Sequence, residues 1–201
     1  MAPYTARAMT SPRIVLASTS RYRRELLQRL HVDFEVQAPR VDESSLAGES
    51  PRETAVRLAL AKAQAVHAQH PGAVVIGSDQ VAELAGVPLG KPLEHGAALA
   101  QLERMQGKEV IFHTAVAVVG PQPDAVQVDC VPTTVLLRSL SRPALEHYLR
   151  TDQPYDCAGA AKIESLGIAL VQRVHSDDPT ALVGLPLIAV CASLRQFGVL
   201  V

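Results

Sequence analysis

Asp79 stands three residues beyond an apolar run, Ala73-Val74-Val75-Ile76, and follows Gly77-Ser78. A carboxylate at the end of a buried strand needs water, a metal or a cation as partner. Two readings are open for it: general base or metal ligand, or a turn-capping Asp beside Ser78. Glu43, next to Asp42 in the polar loop Val41 to Ser50, could supply a second oxygen to Mg²⁺ or belong to a solvated acidic loop. Lys91 is held between Gly90 and Pro92, and Lys62 sits at the edge of a helical face. A basic stretch comes earlier, LASTSRYRRELLQRL, from Leu16 to Leu30. Its hydroxyl turn, Ser18-Thr19-Ser20, leads into a helix carrying Arg21, Arg23, Arg24 and Arg29. A helix N-terminus offers unpaired N–H groups and a positive dipole end, and arginine adds a fork that fits phosphate oxygens. The first 29 residues hold six Arg and one acid, Glu25, so the positive charge is local.

The elements that must position these groups follow from periodicity. Ile14 to Ala17 reads as a buried strand end, and Ser20 as the N-cap of a first helix. Tyr22, Leu26, Leu27 and Leu30 share one face of that helix. Phe34 to Val36 is a short strand. Ser50, Pro51 and Glu53 form a capping box and open a second helix that ends near His70-Pro71-Gly72. The run 73–76 reads as a strand buried on both faces, broken by the polar Gly77-Ser78-Asp79-Gln80, with Val81 to Leu84 as a possible continuation. A third helix carries Ala98, Leu102 and Met105 and stops at Gly107. Strands at 110–119 and about 126–138 flank a turn marked by Pro121 and Pro123. A short helix to about Arg150, a strand Ile168 to Val174 and a C-terminal helix with Leu187, Val190, Leu194 and Phe197 complete the chain. This alternation predicts an α/β fold with a mixed sheet flanked by helices.

The totals exclude several classes. A 201-residue chain with 48% hydrophobic residues suits one domain with a sizeable core. Residues 1–12 read as a loose extension and 13–201 as the domain. No apolar run reaches the roughly 18 residues of a membrane span. A net charge of −1 and 3% aromatic residues disfavour general nucleic-acid binding. Cys130, Cys157 and Cys191 are few, odd in number and widely spaced, as reduced thiols in the cytoplasm would be. The histidines show no ligand spacing; His113 reads as a satisfied core or edge residue. There is no GxxxxGK[ST], hence no P-loop.

The residues quoted above, taken together, resemble the Maf-like nucleoside triphosphate pyrophosphatases, and most closely the 7-methyl-GTP branch. The matching strings run in order from the LASTS opening through VDE at Val41, SPRE at Ser50 with Lys62, GSDQV at Gly77 and GKP at Gly90. CAGAAKIE at Cys157 and DPTALVGLPL at Asp178 follow. The resemblance implies a two-lobed domain with a cleft, similar to inosine triphosphate pyrophosphatases. It implies hydrolysis of a nucleoside triphosphate between the α- and β-phosphates, a divalent cation (Mg²⁺ or Mn²⁺) and a homodimer. Position by position, Asp79 matches the family's proton acceptor. Ser18, Arg23, Glu43, Lys62 and Lys91 match its phosphate and metal surroundings, with Glu43 and Asp79 as metal ligands. Tyr22, Gln80 and Glu164 resemble the 7-methyl-GTP branch, and their chemistry suits contact with the base. Methylation at N7 makes guanine cationic, so a Tyr ring can stack on it with a cation–π component. Glu164 could accept from the base N1–H, and Gln80 could add an amide hydrogen bond. Tyr22 thus has two competing uses, core face and base platform. Many family members have Glu before the helix lysine where this chain has Ala61. The alternatives are the same reaction on dTTP, UTP or CTP, and a nucleotide-binding regulator of cell division without turnover.

Overall fold

The computed structural model describes residues 12–122 and 124–201, so the reading of a loose extension before Pro12, and Pro123, lie outside what it describes. The elements in chain order are β1 (Ile14–Ala17), α1 (Arg21–Gln28), β2 (Glu35–Gln37), α2 (Pro51–His67), β3 (Val74–Leu84), β4 (Val87–Leu89) and α3 (His95–Met105). Then come β5 (Glu109–Val119), β6 (Val126–Leu137), α4 (Arg142–Asp152), β7 (Val171–Ser176) and α5 (Leu187–Gln196). One mixed sheet orders the strands β2-β1-β3-β5-β6-β7, with β4 on β3. β1 runs parallel to β2 and β3; the pairs from β3 through β7 are antiparallel. This is the mixed α/β sheet that the alternation predicted.

Local chemistry sets the helix starts. Ser20 Oγ accepts from Arg23 N at 3.4 Å. Ser50 Oγ accepts from Glu53 N, and Ser50 N donates to Glu53 Oε2 at 2.8 Å, completing the capping box. Packing then divides the molecule. One face of the sheet packs Leu16, Ile76 and Val118 against α1 and α5. The other packs Val15, Val75 and Ala117 against the small face of α2, Ala55, Ala59 and Ala63. The far half of the sheet packs β4, α3 and α4 in a third cluster around Leu102, Met105 and Leu149.

Three expectations change. The polar Gly77 to Gln80 stretch is not a break: β3 runs without interruption to Leu84, because Ser78, Asp79 and Gln80 pair with Val116, Ala115 and Thr114 of β5. Non-local ladder pairing here overrides poor local strand propensity. Val87–Leu89, unassigned from sequence, returns as β4. The last strand begins later, at Val171, since Leu166–Leu170 forms a 3₁₀ turn.

Candidate active site

The site sits at a gap in the sheet. β1 pairs with β3 only as far as Ala17 opposite Gly77, and β4 joins the same strand only from Ala82. β5 occupies the other edge along its length. Ser78 to Val81 therefore has a neighbouring strand on one side alone. A cavity of about 730 Å³ opens against this stretch. Crevices of this kind form where parallel strands end and their chains diverge. Its walls include Ser18, Tyr22, Arg23, Glu43, Lys62, Asp79, Gln80 and Lys91. The structure thus brings together eight of the nine residues chosen from sequence.

Side-chain alternation along β3 divides the labour. Gly77 and Asp79 face α2. A Cβ on Gly77 would lie 2.4 Å from Ala59 O and 2.6 Å from Ala63 N, so only glycine lets α2 approach this closely. That approach delivers Lys62 to Asp79. Lys62 Nζ lies 2.7 Å from Asp79 Oδ1 and 2.9 Å from Glu43 Oε1. Lys62 and Asp79 are 5% and 7% exposed, whereas Glu43 reaches in from the surface. The helix-edge lysine is therefore a buried ammonium between two carboxylates, a site where charge is tolerated because it is paired.

Ser78 and Gln80 face the opposite side and hold the turn before α5. Ser78 Oγ lies 2.8 Å from Ala115 O and 2.9 Å from Gly184 O. Gln80 Nε2 donates to Thr114 Oγ1, Ala181 O and Leu182 O at 2.8 to 3.1 Å. Arg23 Nε donates to the same Gly184 carbonyl at 2.8 Å, which aims its fork. Burial pushes the Arg23 guanidinium down from its ordinary value, and the charges of Asp79 and Glu43 oppose that shift. Ser18 is buried beside it, its Oγ accepting from Ser20 N at 3.1 Å.

Sequence reading missed what fixes that turn. Asp178, 2% exposed, accepts from Thr180 N (2.9 Å) and from Ile188 N (2.7 Å) in the first turn of α5. Thr180 Oγ1 accepts from Leu187 N at 2.8 Å. The DPT segment is an Asx-type turn locked to a helix start, and its signal was the Asp-Pro-Thr string itself.

Tyr22 belongs to the cavity, not to the core face on which periodicity placed it. The first turn of α1 stands at the cavity mouth, and only Leu26, Leu27 and Leu30 reach the core. The Arg21 guanidinium stacks 4.7 Å from the Tyr22 ring centroid, and Arg21 Nη2 donates to Tyr22 Oη at 2.9 Å. Arg21, read as a surface residue, also lines the cavity, as does Asp156, which sequence reading passed over. Lys91 lines it from a segment tied down by Leu93 N donating to Tyr155 O at 2.9 Å and Gln101 Nε2 to Gly90 O at 3.0 Å. Glu164 is exposed and does not line the cavity. Partial burial pushes its carboxyl up, and Arg21 is among the charges that oppose the shift.

Two carboxylates of the site carry oxygens that could meet a divalent cation. Glu43 and Asp79 each spend one oxygen on Lys62, and each keeps a second oxygen without a protein partner among the described residues. No group of three His, Cys, Asp or Glu converges among the described residues. Two carboxylate oxygens fit Mg²⁺ or Mn²⁺ only where substrate phosphates complete the shell, which is the usual Mg²⁺ arrangement.

Comparisons with known proteins place the chain in one family. A family model described as Maf-like protein matches residues 13–197. A 7-methyl-GTP pyrophosphatase from Albidiferax ferrireducens is 57% identical over 187 residues, 93% of this chain and 94% of that protein. Proteins of the same name from Polaromonas sp. and Thiobacillus denitrificans are 57% and 55% identical. They cover 97% and 94% of this chain and 89% and 94% of their own lengths.

Proposed function

From the premise that the chain belongs to the Maf-like family, we propose that it hydrolyses 7-methyl-GTP between its α- and β-phosphates, releasing 7-methyl-GMP and pyrophosphate. The observation that carries the reading is the Lys62 ammonium between Asp79 and Glu43 at the floor of a nucleotide-sized cavity whose wall holds Arg23 and Lys91.

A triphosphate carries about four negative charges, and its transfer is accelerated by fixed positive groups and positioning. Arg23, Lys91 and the first turn of α1 receive the phosphate oxygens. Lys62 fixes the orientation of Asp79 through Oδ1. Asp79 Oδ2 then takes the proton from the attacking water. Glu43, together with Asp79 as the charged carboxylate before that proton arrives, would hold a divalent cation, which supplies charge neutralisation at the phosphates when bound. With Ala61 beside Lys62, Glu43 and Asp79 are the carboxylates that meet this ammonium among the described residues.

The base end carries the specificity. The exposed side of the Tyr22 ring stacks on 7-methylguanine, and Asp156 on the cavity wall, or Glu164 from outside it, faces its positive charge. Gln80 has its amide nitrogen committed to the 181–182 turn, so it serves a substrate only as an acceptor through Oε1. Three free cysteines suit a reducing compartment and support a reading of the reaction as cytoplasmic, carried out by the homodimer that the family resemblance implies. No helix of the described residues is long and apolar enough to cross a membrane. The test is pyrophosphate release from 7-methyl-GTP, GTP, dTTP, UTP and CTP with Mg²⁺ or Mn²⁺. The reading expects the highest kcat/KM for 7-methyl-GTP. Preference for a pyrimidine nucleotide overturns the substrate, and binding without turnover overturns the activity.

A further inference from the structure

The loop that delivers Glu43 has no apolar anchor. None of residues 42–49 belongs to a hydrophobic cluster, and Leu46 at its tip is 58% exposed. A hollow of about 490 Å³ separates the loop from α2 along Glu49, Arg52, Val56 and Arg57. Yet Glu43 must be held at one place to sit 2.9 Å from Lys62.

The holding is polar and centred on one pair. Arg57 Nε and Nη2 lie 2.6 and 2.7 Å from the two oxygens of Glu49, a bidentate fork. Arg57 Nη2 also donates to Ser44 O at 3.0 Å, one residue from Glu43. Glu49 Oε2 accepts from Leu46 N and from Thr54 Oγ1. Asp42 Oδ1 closes the other side by accepting from Ser44 N at 2.9 Å. Arg57 and Lys62 rise from the same helix, α2, so the clamp and the ammonium share one rigid body. Arg57 itself does not line the cavity.

We infer that Arg57, gripped by Glu49, is a positioning residue that holds the 42–49 loop so that Glu43 reaches Lys62. The inference rests on the pyrophosphatase reading for its rate effects and on the loop alone for its second readout. Arginine matters at this point because a lysine cannot span both Glu49 oxygens and the Ser44 carbonyl together.

A double-mutant cycle tests it on the full chain. Arg57→Lys lowers kcat/KM for 7-methyl-GTP about 10-fold in the native background and less than about 2-fold in the Glu43→Gln background, because coupled residues are non-additive. The loss falls on the Mg²⁺ and nucleotide concentrations needed for half-maximal rate more than on kcat. Amide hydrogen exchange across residues 44–49 quickens, while exchange in β3 and α2 is unchanged. Glu49→Gln, which spares the helix, reproduces each effect. Equal losses in both backgrounds, or unchanged exchange in the loop, overturn the inference. Absence of turnover in the native chain refutes the activity instead, and the exchange result then decides the clamp by itself.

Discussion

Lys62 Nζ lies 2.7 Å from Asp79 Oδ1, 17 positions away in the chain, and both side chains are almost sealed from water. Removing either partner has different consequences, because one carries the chemistry and the other keeps a buried charge paired.

Asp79→Asn keeps shape and hydrogen bonding to Lys62 but cannot take a proton. Turnover falls about 10³-fold, within the range for loss of a general base, while the thermal midpoint changes little. Pyrophosphate release and calorimetry check the two halves; turnover at the native rate would remove Asp79 from its role. Lys62→Met leaves Asp79 without its cation and destabilises the chain by about 3 kcal/mol at neutral pH, as read by urea unfolding.

Gly77→Ala puts a methyl group into the backbone of α2 at Ala59 and Ala63. The helix must shift, at a cost of about 2 kcal/mol, and Lys62 moves with it. Stability and turnover fall together. A variant that loses stability but retains full kcat would show that the Lys62–Asp79 contact does not depend on this approach.

Tyr22→Leu removes the stacking face. It raises KM for 7-methyl-GTP about 5-fold, from the size of a cation–π contact, and changes KM for GTP less. Glu164→Gln and Asp156→Asn lower kcat/KM for the cationic base more than for neutral bases. The variant with the larger selective loss identifies the counter-charge; equal losses on all nucleotides from both would exclude the two carboxylates from base recognition.

The Glu49 clamp has an acid limit. Its hydrogen bonds with Arg57, opposed by burial and helped by Leu46 N and Thr54, lower the carboxyl from 4.5 to about 2. Since the folded value lies below the unfolded one, the stabilisation is complete above pH 4.5 and is lost as pH falls toward about 2. Urea midpoints over that window therefore drop more steeply for the native chain than for Glu49→Gln.

Cys157 sits between Asp156 and Ala158 of the cavity wall. Burial, then the charges of Asp156 and Glu164, push its thiol up to about 12. At pH 8 the folded chain is alkylated at Cys157 far more slowly than the urea-unfolded chain, measured by mass spectrometry, because only the thiolate reacts.

Periodicity and caps carried much of the architecture. The Ser50-Pro51-Glu53 start of α2, the Ser20 cap of α1 and the doubly buried run at 74–76 are local signals, and the structure contains each of them. Residue type and turn position also singled out Ser18, Arg23, Glu43, Asp79 and Lys91 as chemistry-bearing, and the cavity gathers them.

What periodicity could not give depends on contacts between distant segments. Nothing within a few residues of Lys62 shows that it is buried; that follows from Gly77 admitting α2 so closely. Nothing around Gly184 shows that its carbonyl steers Arg23, 161 residues away. The strand through Asp79 exists because β5 pairs with it, and the site exists because β1 stops at Ala17 and β4 begins only opposite Ala82. The amino-acid sequence by itself determined which groups could meet a phosphate. The tertiary structure decided which of them meet each other, because sheet pairing and close helix packing act across sequence separations that local patterns do not span.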